Sequence, residues 1–423
     1  MFAQAYAQAI SPGVAMALEA IVVSSVVWLP LVLAYLSFWL WLYYARAKWI
    51  KSLSWLLLEI KLPKEVAKTP QAMEAVLMAI HHTVDAGNLI EKWFKGKLRM
   101  WSSLEIVSIG GNIRFFIRIN QDWKNRVESA IYSQYPNAEV YEATDYVDEV
   151  PYGLPGSEWK MMGSEFELVK PDAYPIKTYL DYGTDKVADI DDLSPVDPIT
   201  PMLEFFGTLK PQEQIWAQFI VVATRKRFDA EKKWSEIWYQ PTEWFKKQDW
   251  VKEAEAAIKE IREKDSPKPK EGEAQRFSFP TPGQTEVLKA IERTLAKPAF
   301  DCGIRAIYIA PEEAFNPVNI GGMISCFTQY NSAALNGFKP LNFTSIKYPW
   351  QDLTGRKAAL MKAKMFDAYR RRSYFYPPYV KKQMVLSTEE IATMYHFPGK
   401  LASTPSLKKI ESKRAEPPTN LPI

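Results

Sequence analysis

Groups that can move a proton, bind a metal or cradle a phosphate are thinly spread over these 423 residues. The one local grouping of acid and base side chains is His81-His82 with Asp85 and Glu91. A general base must sit within hydrogen-bond reach of the proton it takes. These residues fall at the end of an amphipathic helical pattern, which favours a helix surface over a catalytic site. The third histidine is His396. Cys302 and Cys326 lack metal-ligand spacing, and no CxxC, HExxH or paired Cys/His cluster occurs. Both read as free thiols packed as small hydrophobes. Asp189, Asp191, Asp192 and Asp197 make an acidic loop without the glycine and terminal glutamate of a calcium-binding EF-hand. The loop reads as a solvated turn with helix-capping aspartates. Gly110-Gly111 has no helix opening after it, so it reads as a hairpin turn and not a phosphate loop. Gly399-Lys400 lacks the upstream glycine of a nucleotide-binding loop and reads as a helix end. No cofactor, metal or catalytic residue is expected.

One stretch has binding character. RKAALMKAKMFDAYRRR (356–372) is a basic helical pattern with a single acid, Asp367, and SYFYPPYVKK follows it. Arg370, Arg371, Arg372, Tyr374, Tyr376, Lys381 and Lys382 are the candidate contacts. Basic residues interleaved with aromatic ones can hold single-stranded nucleic acid by charge and stacking. The same pattern also describes a helix covering a sheet, its rings buried and its cations in water or facing anionic lipid. A net charge of +4 excludes a globally basic nucleic-acid binder and leaves room for a local patch.

The element that must position all of this is AIVVSSVVWLPLVLAYLSFWLWLYY (20–44), which has no charged residue. A bilayer core of about 30 Å needs roughly 20 helical residues. Lipid leaves backbone groups unsatisfied, so the span must be helical, and Pro30 near its middle is tolerated there. Trp39, Trp41, Tyr43 and Tyr44 gather at the C-terminal end, where rings favour the headgroup level. Arg46, Lys48 and Lys51 follow, while residues 1–19 hold no Lys or Arg. The positive-inside rule then places the N-terminus outside and the rest of the chain on the cytoplasmic face of the cell membrane. There is no basic n-region, and the run exceeds the 7–15 apolar residues typical of a signal peptide.

Beyond the anchor, composition is that of a globular protein, 47% hydrophobic and 24% charged. SLSWLLLEIKLP (52–63) alternates as a strand. Met73, Val76, Leu77 and Ile80 recur at helical spacing. Two strand patterns flank Gly110-Gly111. A helix ending at Pro136 and a strand at 138–147 follow. This β-α-β-β-α-β order predicts a ferredoxin-like (split βαβ) domain over 52–148, with two helices on one sheet face and the other face free. Residues 149–385 predict a second α+β unit of the same kind, with a charged helical insertion near 229–276. Residues 386–423 read as a helix and Pro-rich connector tail. The expected fold class is α+β: one transmembrane helix, then two ferredoxin-like units, the second with insertions.

STEEIATMYHFPG (387–399) followed by RAEPPTNLP (414–422) resembles the segment that joins the N-terminal region to the motor domain in membrane-associated ATPases of the bacterial type IV secretion and conjugation class. LLLEIKLP (56–63), SLEIVSIGG (103–111) and YPNAEVYEATDYV (135–147) are similar to that family's preceding region. The family's motor carries a G-x-x-x-x-G-K-[ST] loop, and no such pattern occurs here. The resemblance therefore implies a non-catalytic platform that docks a motor ATPase at the membrane, the motor being a separate chain or a missing C-terminal domain. It also implies an oligomer, hexameric if it follows the motor. The alternative is a DNA-binding accessory module of the same machinery. Membrane lipid is a partner in either case.

Overall fold

The structure is a computed structural model of the chain. It describes residues 12–63, 68–81, 88–153, 158–185, 197–224, 250–264, 280–346 and 348–399. The chain divides into two compact units, residues 1–53 with 85–99, and residues 54–84 with 100–423.

The smaller unit is dominated by helix α1, Pro12–Ser52, of 41 residues. Pro30 lies inside it without ending it. The segment Glu19–Ser52 is long and apolar enough to cross a membrane, and none of its most apolar window is buried within the protein. Ser24 and Ser25 donate their hydroxyls to the carbonyls three residues back, which satisfies these polar groups inside the helix. A short helix, Leu89–Trp93, completes this unit.

The larger unit is α+β and built on one antiparallel sheet. In chain order its elements are β1 (Trp55–Lys61), α2 (Gln71–Ile80), β2 (Ser102–Ile109), β3 (Asn112–Asn120), α3 (Lys124–Gln134) and β4 (Glu139–Glu142). Next come β5 (Trp159–Leu168), α4 (Thr200–Gly207), β6 (Gln214–Ala223), α5 (Trp250–Lys264), α6 (Pro282–Leu295) and β7 (Ala299–Pro311). The last are α7 (Val318–Thr328), β8 (Phe338–Leu341), α8 (Arg356–Arg370), β9 (Met384–Ser387) and α9 (Thr388–Met394). The strands lie in the order β4-β1-β3-β2-β6-β7-β5-β8, with β9 also paired to β7. Every pairing is antiparallel.

The first four strands follow the order fourth, first, third, second. The next four, read from β8 inward, follow it again. The two halves join where β2 lies along β6, from Ser102 opposite Val221 to Ile109 opposite Gln214. The boundary expected at 148/149 therefore divides the chain but not the sheet. Of the expected insertion, residues 229–249 and 265–276 lie outside the described residues, and α5 is helical as anticipated. Gly110 and Gly111 have φ of +57° and +81°, the left-handed pair that a two-residue hairpin between β2 and β3 requires.

One sheet face carries the main core. Met73, Val76, Leu77 and Ile80 of α2 are buried there, as their spacing predicts. They pack with Val127 and Ile131 of α3, Met202 and Phe206 of α4, and Met323 and Phe327 of α7. Each fully buried side chain of this kind contributes roughly 1.5–3 kcal/mol. The opposite face is not free. Met365, Phe366 and Tyr369 of α8 cover Leu57, Val107, Phe116, Trp216, Ile307 and Ile309. The sequence pattern hid this because α8 comes from far along the chain. The stretch expected to begin the connector is also internal. β9 pairs with β7, and every residue of α9 is buried. Residues 400–423, the rest of the expected tail, lie outside the described residues.

Candidate functional site

The residues of greatest chemical interest lie under the basic–aromatic stretch. Strand alternation sets every second side chain on the α8 face. Along one cross-strand row these are Glu105 on β2, Gln218 on β6, Arg305 on β7 and Glu165 on β5, each directly opposite the next. All four are buried. Gln218 Nε2 donates to Glu105 Oε1 at 3.0 Å. Arg305 Nη1 donates to Gln218 Oε1 at 3.4 Å, and its Nη2 donates to Glu165 Oε1 at 3.0 Å. Arg372 closes the row at one end. Its Nε and Nη2 donate to the two Glu105 oxygens at 2.9 and 3.0 Å. Its Nη2 also donates to Asp145 at 3.0 Å, and its Nη1 makes a second contact there. Lys381 closes the other end, 3.1 Å from Glu165. Three cations thus meet three carboxylates.

Burial alone would raise the Glu105 carboxyl. The charge and hydrogen bonds of Arg372, with the Ser103 and Tyr146 hydroxyls, instead bring it down to about 2. Glu165 is likewise held below its ordinary value against burial, by Arg305, Lys381 and Asn342. Such carboxylates are poor proton acceptors. They act here as clamps that fasten residues 369–382 to the sheet.

The seven candidate contacts separate accordingly. Arg372 has no exposed side-chain surface, so no phosphate or partner reaches it. Tyr374 and Tyr376 are buried. The Tyr374 ring lies on Gly303 of β7, where a Cβ would come within 2.5 Å of it, and Tyr376 packs 5.6 Å from Trp101. Lys381 is occupied with Glu165. Arg370, Arg371 and Lys382 remain on the surface, 60%, 59% and 69% exposed, and each faces an acid: Asp148 at 3.7 Å, Asp367 at 2.9 Å and Glu167 at 3.5 Å.

A second cluster surrounds α9. Ser387 and Glu390 form a reciprocal capping box. Glu389 is fully buried and meets Arg293 and Lys297, both at 2.9 Å. Lys297 also reaches Glu74 on α2 at 2.7 Å. His396 presents both ring nitrogens to acceptors, the Ala392 carbonyl at 2.7 Å and Asp197 at 2.8 Å. Asp197 is therefore buried and paired, not solvated as expected, because His396 arrives from 199 residues away. It does cap Ile199 through its amide. Asp189, Asp191 and Asp192 lie outside the described residues.

Burial raises the Glu390 carboxyl to about 7, and its amide and hydroxyl donors only partly offset this. Stability linked to a raised carboxyl is fully present below the ordinary value of 4.5 and is lost as pH rises through about 7. Glutamine can fill the same capping position but does not ionise. Glu390→Gln is expected to flatten the fall in denaturation midpoint between pH 4.5 and 7 relative to wild type. Parallel wild-type and variant pH profiles would disprove this assignment.

The remaining chemical residues have structural surroundings. His81 Nε2 lies 3.0 Å from the Ala299 carbonyl, and its ring stands edge-on to Phe300. Glu91 is paired to Lys97 at 2.7 Å. His82 and Asp85 lie outside the described residues. Cys302 and Cys326 are buried free thiols. Burial pushes Cys302 up strongly and Cys326 to about 12. Among the described residues no group of three or more His, Cys, Asp or Glu side chains is arranged to hold a metal ion.

A family model described as "Domain of unknown function (DUF8128)" matches residues 45–409. The matched span begins where the apolar run ends and covers the whole larger unit as described. No curated protein matches the chain.

Proposed function

We propose that this chain, which belongs to the DUF8128 family, is a membrane-anchored, non-enzymatic platform. In this reading α1 spans the cytoplasmic membrane with its N-terminus outside. The two sheet halves are ferredoxin-like units held at the cytoplasmic face. They dock a motor ATPase of a type IV secretion or conjugation-like system, as an oligomer that follows the motor's symmetry.

The observation that carries the reading is α1 itself. Its residues 20–44 are apolar and almost wholly exposed, and rings and then cations bound them at one end. An exposed apolar surface of that length is unfavourable in water and favourable in lipid. The strand order β4-β1-β3-β2, repeated in the second half, supports the ferredoxin-like reading of each unit. The buried Glu105–Arg372 and Glu165–Arg305 pairs support a scaffold, since these charges neutralise one another. Anchoring raises the local concentration of a docked partner without any new contact. The DNA-binding alternative rests on Arg370, Arg371 and Lys382, whose acidic neighbours weaken it.

Cross-linking in native membranes tests the platform. The expected product contains an ATPase with a phosphate-binding G-x-x-x-x-G-K-[ST] loop. Cross-linked complexes that contain no ATPase would overturn the motor-docking reading. Retention on single-stranded DNA with a steep salt dependence would favour the alternative.

A further inference from the structure

The long helix has a companion in its own unit. Asn88 caps the short helix Leu89–Trp93, its Oδ1 accepting from the Glu91 amide at 2.9 Å. Trp93 then lies on Phe38 of α1, ring centroids 5.3 Å apart. Three residues on, Gly96 turns the chain with φ of +68° and packs on the α1 backbone. A Cβ at Gly96 would stand 2.5 Å from the Ala45 carbonyl carbon and the Arg46 nitrogen. Residues 88–99 thus form a strap along α1 from Phe38 to Arg46, about 12 Å at 1.5 Å per residue. Leu42, Ala45 and Arg46 are the buried residues of α1 among those described.

Phe38 belongs to the uncharged run, and Arg46 is the first cation after it. The strap therefore lies at the level where the apolar run gives way to charge. Its surface carries both apolar and charged side chains. Ile90 and Phe94 are 61% and 64% exposed. Lys92, Lys95, Lys97 and Arg99 accompany them, four cations in a stretch with one acid, Glu91. A bulky apolar pair beside a run of cations suits the boundary between acyl chains and anionic headgroups.

We propose that residues 88–99 are a second membrane contact: Ile90 and Phe94 bed into one leaflet of an anionic bilayer, and the neighbouring lysines meet lipid phosphates. This rests on the reading of α1 as a membrane anchor. An interfacial element of this kind buries its apolar side about 5–10 Å into the headgroup boundary. The occupant is lipid because the strap touches the anchor inside its apolar run, and the local charge complements anionic headgroups. The strap adds its cations to Arg46, Lys48 and Lys51 on one side of the anchor, which strengthens the charge asymmetry that sets orientation.

The test uses the full chain in vesicles of phosphatidylcholine and phosphatidylglycerol. Cys302 and Cys326 are buried, so an introduced cysteine takes a polarity-sensitive fluorophore selectively. Labels go at Ile90→Cys, Phe94→Cys, Leu33→Cys within the anchor, and Tyr132→Cys on the surface of the larger unit. The expected result is blue-shifted emission at 90 and 94, strong quenching by lipids spin-labelled near the headgroup, and protection from aqueous iodide. The label at 33 should answer to deeply spin-labelled lipid and the label at 132 to iodide alone. Iodide quenching at 90 and 94 with lipid quenching retained at 33 overturns the strap and leaves the anchor standing. Iodide quenching at 33 as well removes the anchor and the strap together. Gly96→Val, which cannot keep the backbone contact, should release the label at 94 to iodide without moving the label at 33. A label at 94 that stays in lipid in this variant overturns the role given to the strap's seat on α1.

Discussion

Arg372→Met is expected to destabilise the larger unit by about 3–5 kcal/mol, because it leaves Glu105 buried without its counter-ion. The Glu105 carboxylate accepts from Arg372 twice, from Ser103, from Tyr146 at 2.8 Å and from Gln218 at 3.0 Å. Removing the cation takes away the charge and two of these bonds at once. Backbone preference runs the other way. Arg372 has φ of +50°, at the position just after α8 where glycine is usual. Its amide donates to the Tyr369 carbonyl and the Ser373 amide to Ala368, which closes the helix end. Holding a non-glycine residue there costs roughly 1–2 kcal/mol, less than the ion pair protects. Arg372→Gly should therefore also destabilise, which separates side-chain from backbone effects. The double variant Glu105→Leu/Arg372→Met should lose less than the two single losses added together, the coupling that a double-mutant cycle reads. Additive losses in denaturant titrations of the chain in detergent would refute a coupled pair. Acid offers a second readout. The stability that Glu105 supplies is complete above its ordinary value of 4.5 and is lost as pH falls to about 2. Glu105→Gln should shrink that acid-side loss.

Local patterns foretold local structure. Met73, Val76, Leu77 and Ile80 announced α2, and Gly110-Gly111 announced the hairpin, because each depends on residues a few positions apart. The buried charge row was not legible. In SLEIVSI, Glu105 occupies an alternating position that normally faces solvent. The partner that allows its burial, Arg372, lies 267 residues away. Arg372 itself was legible as basic but not as buried, since its neighbours Arg370 and Arg371 have the same chemistry and stay exposed. The joining of β2 to β6 was hidden for a similar reason. β2 reads as an alternating strand and β6 as a largely apolar one, and no sequence signal says that two halves share one sheet. The strap was missed because a five-residue helix has too little periodicity to detect, and Gly96 signals close approach only once Ala45 is beside it. What sequence shows least is contact between distant residues, and the polar groups of this chain rely on such contacts.

Two arginines placed in the middle of α1 should move the chain out of the membrane, whereas one should not. Thirteen Ile, Leu, Val and Phe side chains lie between residues 20 and 44. Near the helix centre each favours insertion by about 0.3–0.6 kcal/mol, so together they supply roughly 4–8 kcal/mol. An arginine at the centre opposes insertion by about 2.5–3.5 kcal/mol. Leu33→Arg alone therefore leaves a net gain and should remain in the membrane fraction after carbonate extraction. Leu33→Arg with Leu36→Arg opposes insertion by about 5–7 kcal/mol, which cancels most or all of that gain. Residues 33 and 36 meet on neighbouring turns of one helix side, where two like charges repel instead of pairing, so both must be hydrated. The double variant should appear largely in the soluble fraction, with the larger unit still folded by circular dichroism. Leu33→Lys/Leu36→Asp provides the control. Its opposite charges can pair across one turn, so it should stay in the membrane more than the double arginine does. A wild-type chain released by carbonate, or a double-arginine chain retained as firmly as wild type, would show that residues 20–44 do not hold this protein in a bilayer.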